Sequence, residues 1–344
     1  MANISAPSEE SLLSRVEQKA AVIFVKGGVL PWFLVLAVLI FWLSTDNFLS
    51  GKNMVSMLRQ ATYLTMVAMA QMVVLLTAGL DLSVGVMFAI TSVVTGMAMV
   101  AVWSGDMADP GWWAIAVGCA AGMGAGTLVG VFNGIGVAIF RVPPFMMTLA
   151  MSSIVFGLAL TITGGTPIYG MPTAFASTFG YGKFLSVPVP IWLTIGFIIM
   201  MYVFINWTRM GRYLYALGGN LKASQLSGIN TRLYLFLAYV VCAAITTFAA
   251  LMLTARLESG ESNIGTHYPL LSISACVIGG VSLFGGTGRL PNVVLGAIFI
   301  ILVQNGMNLL RINSYLQMVV IGILLILAVI GDNYRQKVML TLRD

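Results

Sequence analysis

From Val29 to Ile330 the chain is divided into ten apolar runs, none with an Asp, Glu, Lys or Arg in its interior. A run of roughly 20 apolar residues matches the hydrocarbon core of a bilayer. Lipid offers the backbone no hydrogen-bond partner, so each such run has to be helical. The runs read Val29–Thr45, Ala61–Ala78, Val84–Trp103, Trp112–Phe140, a fifth from Pro144 to Thr163, Ile191–Ile205, Leu233–Thr254, Tyr268–Leu283, Val293–Leu310 and Ser314–Ile330. Only 8% of the 344 residues are charged and 59% are hydrophobic, with a mean hydropathy of +0.97. A soluble domain carries about 25% charged residues. The expectation is an all-α polytopic membrane protein of about ten transmembrane helices, one transmembrane domain over 1–344, with residues 1–28 as a cytoplasmic tail. That tail holds Glu9, Glu10, Arg15 and Glu17, unlike the basic start of a cleaved signal peptide.

Charge sets the orientation. With the N-terminus inside, Arg15, Lys19, Lys26, Arg141, Arg209, Arg212, Lys222, Arg232, Arg289, Arg335, Lys337 and Arg343 fall in the cytoplasm, against Lys52, Arg59, Lys183, Arg256 and Arg311 outside. This is the positive-inside pattern. The net charge of +6 is then read as loop bias and attraction to anionic lipid, not as nucleic-acid binding. The longest basic stretch, Asn206–Arg232, has four basic residues, no acidic one, and glycines at 211, 218, 219 and 228. Its apolar residues suggest one or two short amphipathic helices on the cytoplasmic side, a docking surface between helices six and seven. Gly218-Gly219 reads as a turn that needs positive φ.

Between the runs, Asp46–Gln60 reads as a polar turn, Gly79–Gly85 as a break where Asp81 and Ser83 can cap the next helix, and Arg256–His267 as a polar outer loop. Gly164–Pro190 is too broken to span and suits a short helix at the outer face. Gly118, Gly122, Gly126, Gly130 and Gly134 recur every fourth residue, a smooth stripe for close helix packing. Neutral polar residues lie inside helices at Gln71, Asn133, Thr148, Gln304, Asn305 and Asn308. They can hydrogen-bond an uncharged hydroxylated solute along a pathway, or tie helices together.

The chain has no glycine-rich loop ending in Gly-Lys-Ser or Gly-Lys-Thr, no HExxH pair and no nucleophile elbow. Its one histidine, His267, sits in a loop, and Cys119, Cys242 and Cys276 lie in apolar runs without metal or disulfide spacing. Neither catalytic residues nor a metal or cofactor site is expected. Ion-coupled transporters carry ionisable groups in the membrane interior; here only Asp81, at a helix break, comes near. Energy is therefore expected from outside the chain, with a stand-alone secondary transporter or facilitator of small neutral solutes as the alternative.

Several of these segments together resemble the membrane permease subunits of ribose-type sugar importers of the ATP-binding-cassette superfamily. They are GLDLSVG at Gly79–Gly85, Asn133-Gly134, VPPFMMTL at Val142–Leu149, GRYLYALGGNLKASQLSGI at Gly211–Ile229, IGGVSLFGGTG at Ile278–Gly288 and NGMNL at Asn305–Leu309. Arg289-Leu290-Pro291 departs from the pattern, where a further small residue is expected. The resemblance implies a bacterial inner-membrane importer that moves a monosaccharide or polyol from periplasm to cytoplasm by alternating access. It implies a second permease subunit (identical or paralogous), two ATP-binding cassette subunits or one fused pair, and a periplasmic sugar-binding protein. The coupling segment would receive the ATPase through Gly211, Arg212, Gly218, Gly219, Asn220, Ser227 and Gly228.

Overall fold

The computed structural model describes residues 30–106 and 109–341. The expected N-terminal tail, with its Arg15, Lys19 and Lys26, and Arg343 lie outside the described residues. The helices are α1 (Leu30–Ser44), α2 (Gly51–Leu75), α3 (Val84–Val102), α4 (Trp112–Ala138), α5 (Pro144–Thr163), α6 (Val189–Trp207), α7 (Arg209–Gly219), α8 (Leu221–Leu226), α9 (Thr231–Leu257), α10 (Tyr268–Ile278), α11 (Leu290–Leu309) and α12 (Ser314–Thr341). Six of them are long and apolar enough to cross a membrane, and α1, α10 and the first part of α12 are shorter apolar helices. The chain is an all-α polytopic membrane protein.

The start of α2 differs from expectation: the helix begins at Gly51, so Gly51–Gln60 is helical where a polar turn was read. Ser50 is its N-cap, accepting a hydrogen bond from Asn53 N at 3.3 Å, and a capped end lets polar residues continue the apolar helix outward. From Ala61 to Leu75 every residue of α2 is buried. A helix apolar on all sides belongs at the centre of a bundle, and α2 packs against α6, α9, α10 and α11.

Around α2 the chain repeats itself upside down. Helices α2–α5 and α9–α12 make matching sets of neighbours. The pairs α3–α4, α4–α5 and α3–α5 correspond to α10–α11, α11–α12 and α10–α12. Across the halves, α9–α4 corresponds to α2–α11 and α9–α3 to α2–α10, with α2 against α9 on the pseudo-axis. Since α2 and α9 run in opposite directions, the two halves have inverted topology, the plan of many transporters.

The glycine stripe of α4 lies in two of these interfaces. A Cβ on Gly118 or Gly122 would strike Met99 and Thr95 of α3; on Gly130 or Gly134 it would strike Ala243, Tyr239 and Phe236 of α9; on Gly126 it would meet both helices, at Thr91 and Thr247. The two ends of the bundle differ in charge. The end carrying α7 and α8 holds Arg141, Arg209, Arg212, Lys222, Arg232 and Arg289, with Asp81 as the acid buried near it. At the opposite end Lys52, Arg59, Lys183, Arg256 and Arg311 are balanced by Asp46, Asp106, Asp109, Glu258 and Glu261.

Segment 164–190 forms a cap at that opposite end, with a helical turn at Thr173–Phe175, a π-helical turn at Ala176–Gly180 and a small hairpin pairing Lys183–Phe184 with Val187–Pro188.

A Gly130→Val variant has to push α4 off the backbone of Tyr239, an overpacking cost of at least ~1–3 kcal/mol. It is expected to lose the monodisperse peak on size-exclusion chromatography in detergent. Gly124→Val, at a position with open space around it, is expected to elute and melt as the wild type; equal behaviour of the two variants would count against the α4–α9 contact.

Candidate functional site

The two halves are alike in one more respect: each contains a helix that begins inside the bundle, after a stretch of non-helical chain. After α2, Gly79–Ser83 turns back and climbs along α2. Gly79 N donates to Val74 O at 3.1 Å. The Gln71 amide, oriented to satisfy both its ends, donates to Asp81 O at 3.1 Å and accepts from Asp81 N at 3.2 Å. Thr148 of α5 accepts from Leu82 N at 3.2 Å and lies 3.3 Å from Leu80 O. The Asp81 carboxylate folds forward and accepts from both Ser83 N (2.8 Å) and Ser83 Oγ (2.6 Å). Asn133 Nδ2 of α4 donates to Ser83 Oγ at 2.7 Å. Asp81 caps by an Asx-type turn, whereas the Ser83 side chain makes no capping bond to α3.

The second stretch, Arg256–His267, read as an outer loop, begins at the end opposite α7–α8 but runs back into the bundle as turns and bends. α9 ends at Leu257 with Glu258 in the left-handed region (φ 58°). From there the chain descends along α3. Ile168 and Gly260 exchange hydrogen bonds of 2.9 and 2.8 Å, and Glu261 N donates to Ser92 Oγ at 3.0 Å. The descending chain meets α3 at its second residue: a Cβ on Gly85 would lie 2.7 Å from Gly265 O. The two non-helical stretches therefore meet end to end, and α3 and α10 start from that level in opposite directions. Phe88 and Tyr268 stack there with ring centroids 4.5 Å apart. A groove of about 420 Å³ opens at this level, lined by Leu82, Gly85 and Val86 of the first stretch and α3, Leu149, Ser152, Ser153 and Phe156 of α5, and Thr266, Pro269 and Leu270.

At the basic end, α7 and α8 lie across the bundle. Thr208 caps α7, accepting from Gly211 N at 3.1 Å, and Asn220 caps α8, accepting from Ala223 N at 2.9 Å. One face of α7 (Gly211, Leu214 and Leu217) is buried, while Arg209, Arg212 and Lys222 are exposed. α8 shows Leu221 and Leu226 to solvent, 48% and 82% exposed, with little else to cover them. Gly218 and Gly219 are the last residues of α7, both helical. The chain reverses at extended Asn220 (φ −161°), and the positive φ falls on Gly228 (81°). A turn at Gly218-Gly219 is thus overturned: the capping amide of Asn220 makes the reversal. The two glycines face different ways. A Cβ on Gly219 would touch nothing, but on Gly218 it would run into Leu76 O and Gly286 N. Tyr215 donates to Gly288 O at 2.8 Å. Burial pushes its phenol above the ordinary value, against the opposing pull of Arg289, so it remains a donor. Between α7–α8, the α4–α5 turn and the start of α9 lies a cavity of about 630 Å³, whose lining includes Arg141, Arg232, Thr77, Asn220 and Gln225.

With this geometry in hand, the comparisons decide the family. The model of the family described as "Branched-chain amino acid transport system / permease component" matches residues 53–329. The chain belongs to this permease family. It is 36% identical over 308 residues to the ribose import permease protein of Escherichia coli (strain K12), covering 88% of this chain and 93% of that one. The ribose import permease protein of Bacillus subtilis (strain 168) is 37% identical over 302 residues (87% and 90%). The D-allose transport system permease protein of Escherichia coli (strain K12) is 32% identical over 295 residues (86% and 87%). No solved structure matches the chain.

In the permease, the neutral polar residues read from sequence separate into two groups. Gln71, Asn133 and Thr148 are fully buried and converge on Leu80–Ser83. At the opposite end Asn305 and Asn53 exchange reciprocal amide bonds of 3.0 and 2.9 Å. Gln304 lines a smaller cavity of about 290 Å³ among α10, α11 and α12, and Asn308 accepts from Gln317 at 2.7 Å. Ser152, Ser153 and Thr266, which line the central groove, were not singled out by sequence. A hydroxyl beside apolar residues gives no signal until a neighbouring helix is seen to start opposite it.

Replacing Thr148 by Val keeps its shape and strands Leu82 N, a cost of about 1–3 kcal/mol. Hydrogen exchange in detergent is expected to show faster exchange at Leu82 with α3 unchanged; unchanged protection at that amide would count against the clamp.

Proposed function

We propose that this chain is the membrane permease subunit of an ATP-driven importer for a monosaccharide or related polyol, and that it works by alternating access in a bacterial inner membrane. The relatives named for ribose and D-allose support the substrate class. The observation that carries the mechanism is the pair of interrupted helices, α3 and α10, facing one groove. Transporters place uncharged or charged solutes at such breaks near mid-membrane, between inverted repeats. Here the groove offers hydroxyls and helix starts without a charged side chain, which suits a neutral sugar. In this reading all ten apolar helices cross the bilayer as one domain, and the end carrying α7–α8 is cytoplasmic, as its uncompensated basic residues suggest. Gln71, Asn133 and Thr148 act by holding the Gly79–Ser83 stretch in place.

The permease family is a transport component, and the sequence has no ATP-binding loop. The proposed complex therefore pairs two permease subunits with two ATP-binding cassettes and takes its solute from a periplasmic binding protein. The cassette docks on the exposed face of Arg209–Gly228, with Leu221 and Leu226 as apolar anchors and Arg212, Asn220, Ser227 and Gly219 around them.

Gly219→Val adds bulk where the permease itself has room. The variant is expected to insert and purify normally, but to reduce stimulation of the ATPase by loaded binding protein about tenfold or more, a coupling loss of ~1.4 kcal/mol. Normal stimulation would sink the docking assignment. Asn133→Leu is expected to lower uptake with assembly intact, through loss of its bond to Ser83. Uptake by the chain alone in proteoliposomes, without ATP or partners, would establish a facilitator instead.

A further inference from the structure

We infer that a junction of bare backbone at Gly218, Gly285 and Gly286 transmits movement of α7 to both interrupted helices. The inference rests on the transport reading above and assigns a positioning role that the sequence did not show. Three segments meet there almost entirely through backbone, with the Ala78 methyl as the side chain closest to Gly285. Gly286 N donates to Leu76 O at 3.0 Å, at the C-terminal end of α2. A Cβ on Gly285 would lie 2.7 Å from Ala78 N and 2.9 Å from Gly218 Cα, and one on Gly286 would lie 2.8 Å from Gly219 N. Gly285 and Gly286 have φ of 86° and 71°, the left-handed region that side chains disfavour. Tyr215 fastens α7 to the same turn through Gly288 O.

Each arm of the junction leads into one of the half-helices. On the α2 arm, Leu76 is three residues before Gly79, the start of the stretch that carries Asp81 and Ser83 to the beginning of α3. On the other arm the turn Ser282–Gly288, closed by Ser282 N donating to Thr287 O at 3.1 Å, begins three residues past the end of α10, after Gly279, Gly280 and Val281. Side chains absorb small displacements by changing rotamer, but close-packed backbone has no such slack and passes strain on. A shift of α7 then has to move the base of α3 and the tip of α10 together. This is the rigid contact that a two-state domain movement needs, and it ties α7 to both halves at one place.

The test uses the permease reconstituted with its ATPase and binding protein in proteoliposomes. Gly286→Ala puts a methyl at a left-handed position against Gly219. It is expected to co-purify with the ATPase but to lose about tenfold or more of binding-protein stimulation and sugar uptake. Tyr215→Phe, a milder change, is expected to lose severalfold of both with ATPase binding intact. Gly196→Ala in α6, where a Cβ meets nothing, is the control and is expected to match the wild type. Wild-type stimulation and uptake in Gly286→Ala would overturn the inference. If that variant fails to fold on size-exclusion chromatography, unchanged stimulation in Tyr215→Phe would overturn it. A wild-type chain that binds no ATPase would overturn the transport reading itself.

Discussion

The structure depends on satisfying polar backbone inside a membrane. A chain that leaves helical geometry within a bilayer exposes N–H and C=O groups, each costing several kcal/mol if unpartnered. Gly79–Ser83 survives there because Gln71 meets both backbone groups of Asp81, Thr148 spans Leu80 and Leu82, and the Asp81 carboxylate takes both donors of Ser83. On the other side, Ile168 and Ser92 do the same for Gly260 and Glu261. These bonds let α3 and α10 begin in the interior, and that placement creates the groove. A continuous helix at either place would fill it.

The same economy of side chains governs the basic end. α7 turns an apolar face inward and a basic face outward, and its last two glycines divide the work. Gly219 leaves room on the outer side, and Gly218 lets the helix lie directly on the backbone of Leu76 and the Gly285–Gly286 turn. The polar segment thus has two surfaces with different requirements, one exposed and one packed on the interior. A single substitution scale for "the coupling segment" would mix them.

Much of the fold was legible in the sequence, for reasons visible in particular residues. Charge-free runs bounded by Pro143-Pro144, Gly164 and the basic Asn206–Arg232 stretch mark most helices to within a few residues, because burial in lipid and chain-breaking chemistry are local. The four-residue glycine period of α4 was visible for the same reason. Local signals failed where a distant partner decides. Gly51–Gln60 is polar, yet its cap and its packing continue α2. Ser259–His267 looks like any exposed loop until Ser92 and Ile168 bind it. Gly218-Gly219 resembles a turn, but the neighbouring backbone demands glycine inside a helix.

By itself, then, the sequence determined a bundle of membrane helices, the difference in charge between its ends and the place of its longest basic stretch, since hydrophobic length and charge act residue by residue. Only the tertiary structure decided that Gln71, Asn133 and Thr148 converge on one extended stretch. It also decided that α3 and α10 start face to face, and that Gly218 meets the distant Gly285-Gly286 pair in one contact. Those facts depend on hydrogen bonds and close approaches between segments as many as two hundred residues apart, which no local pattern records.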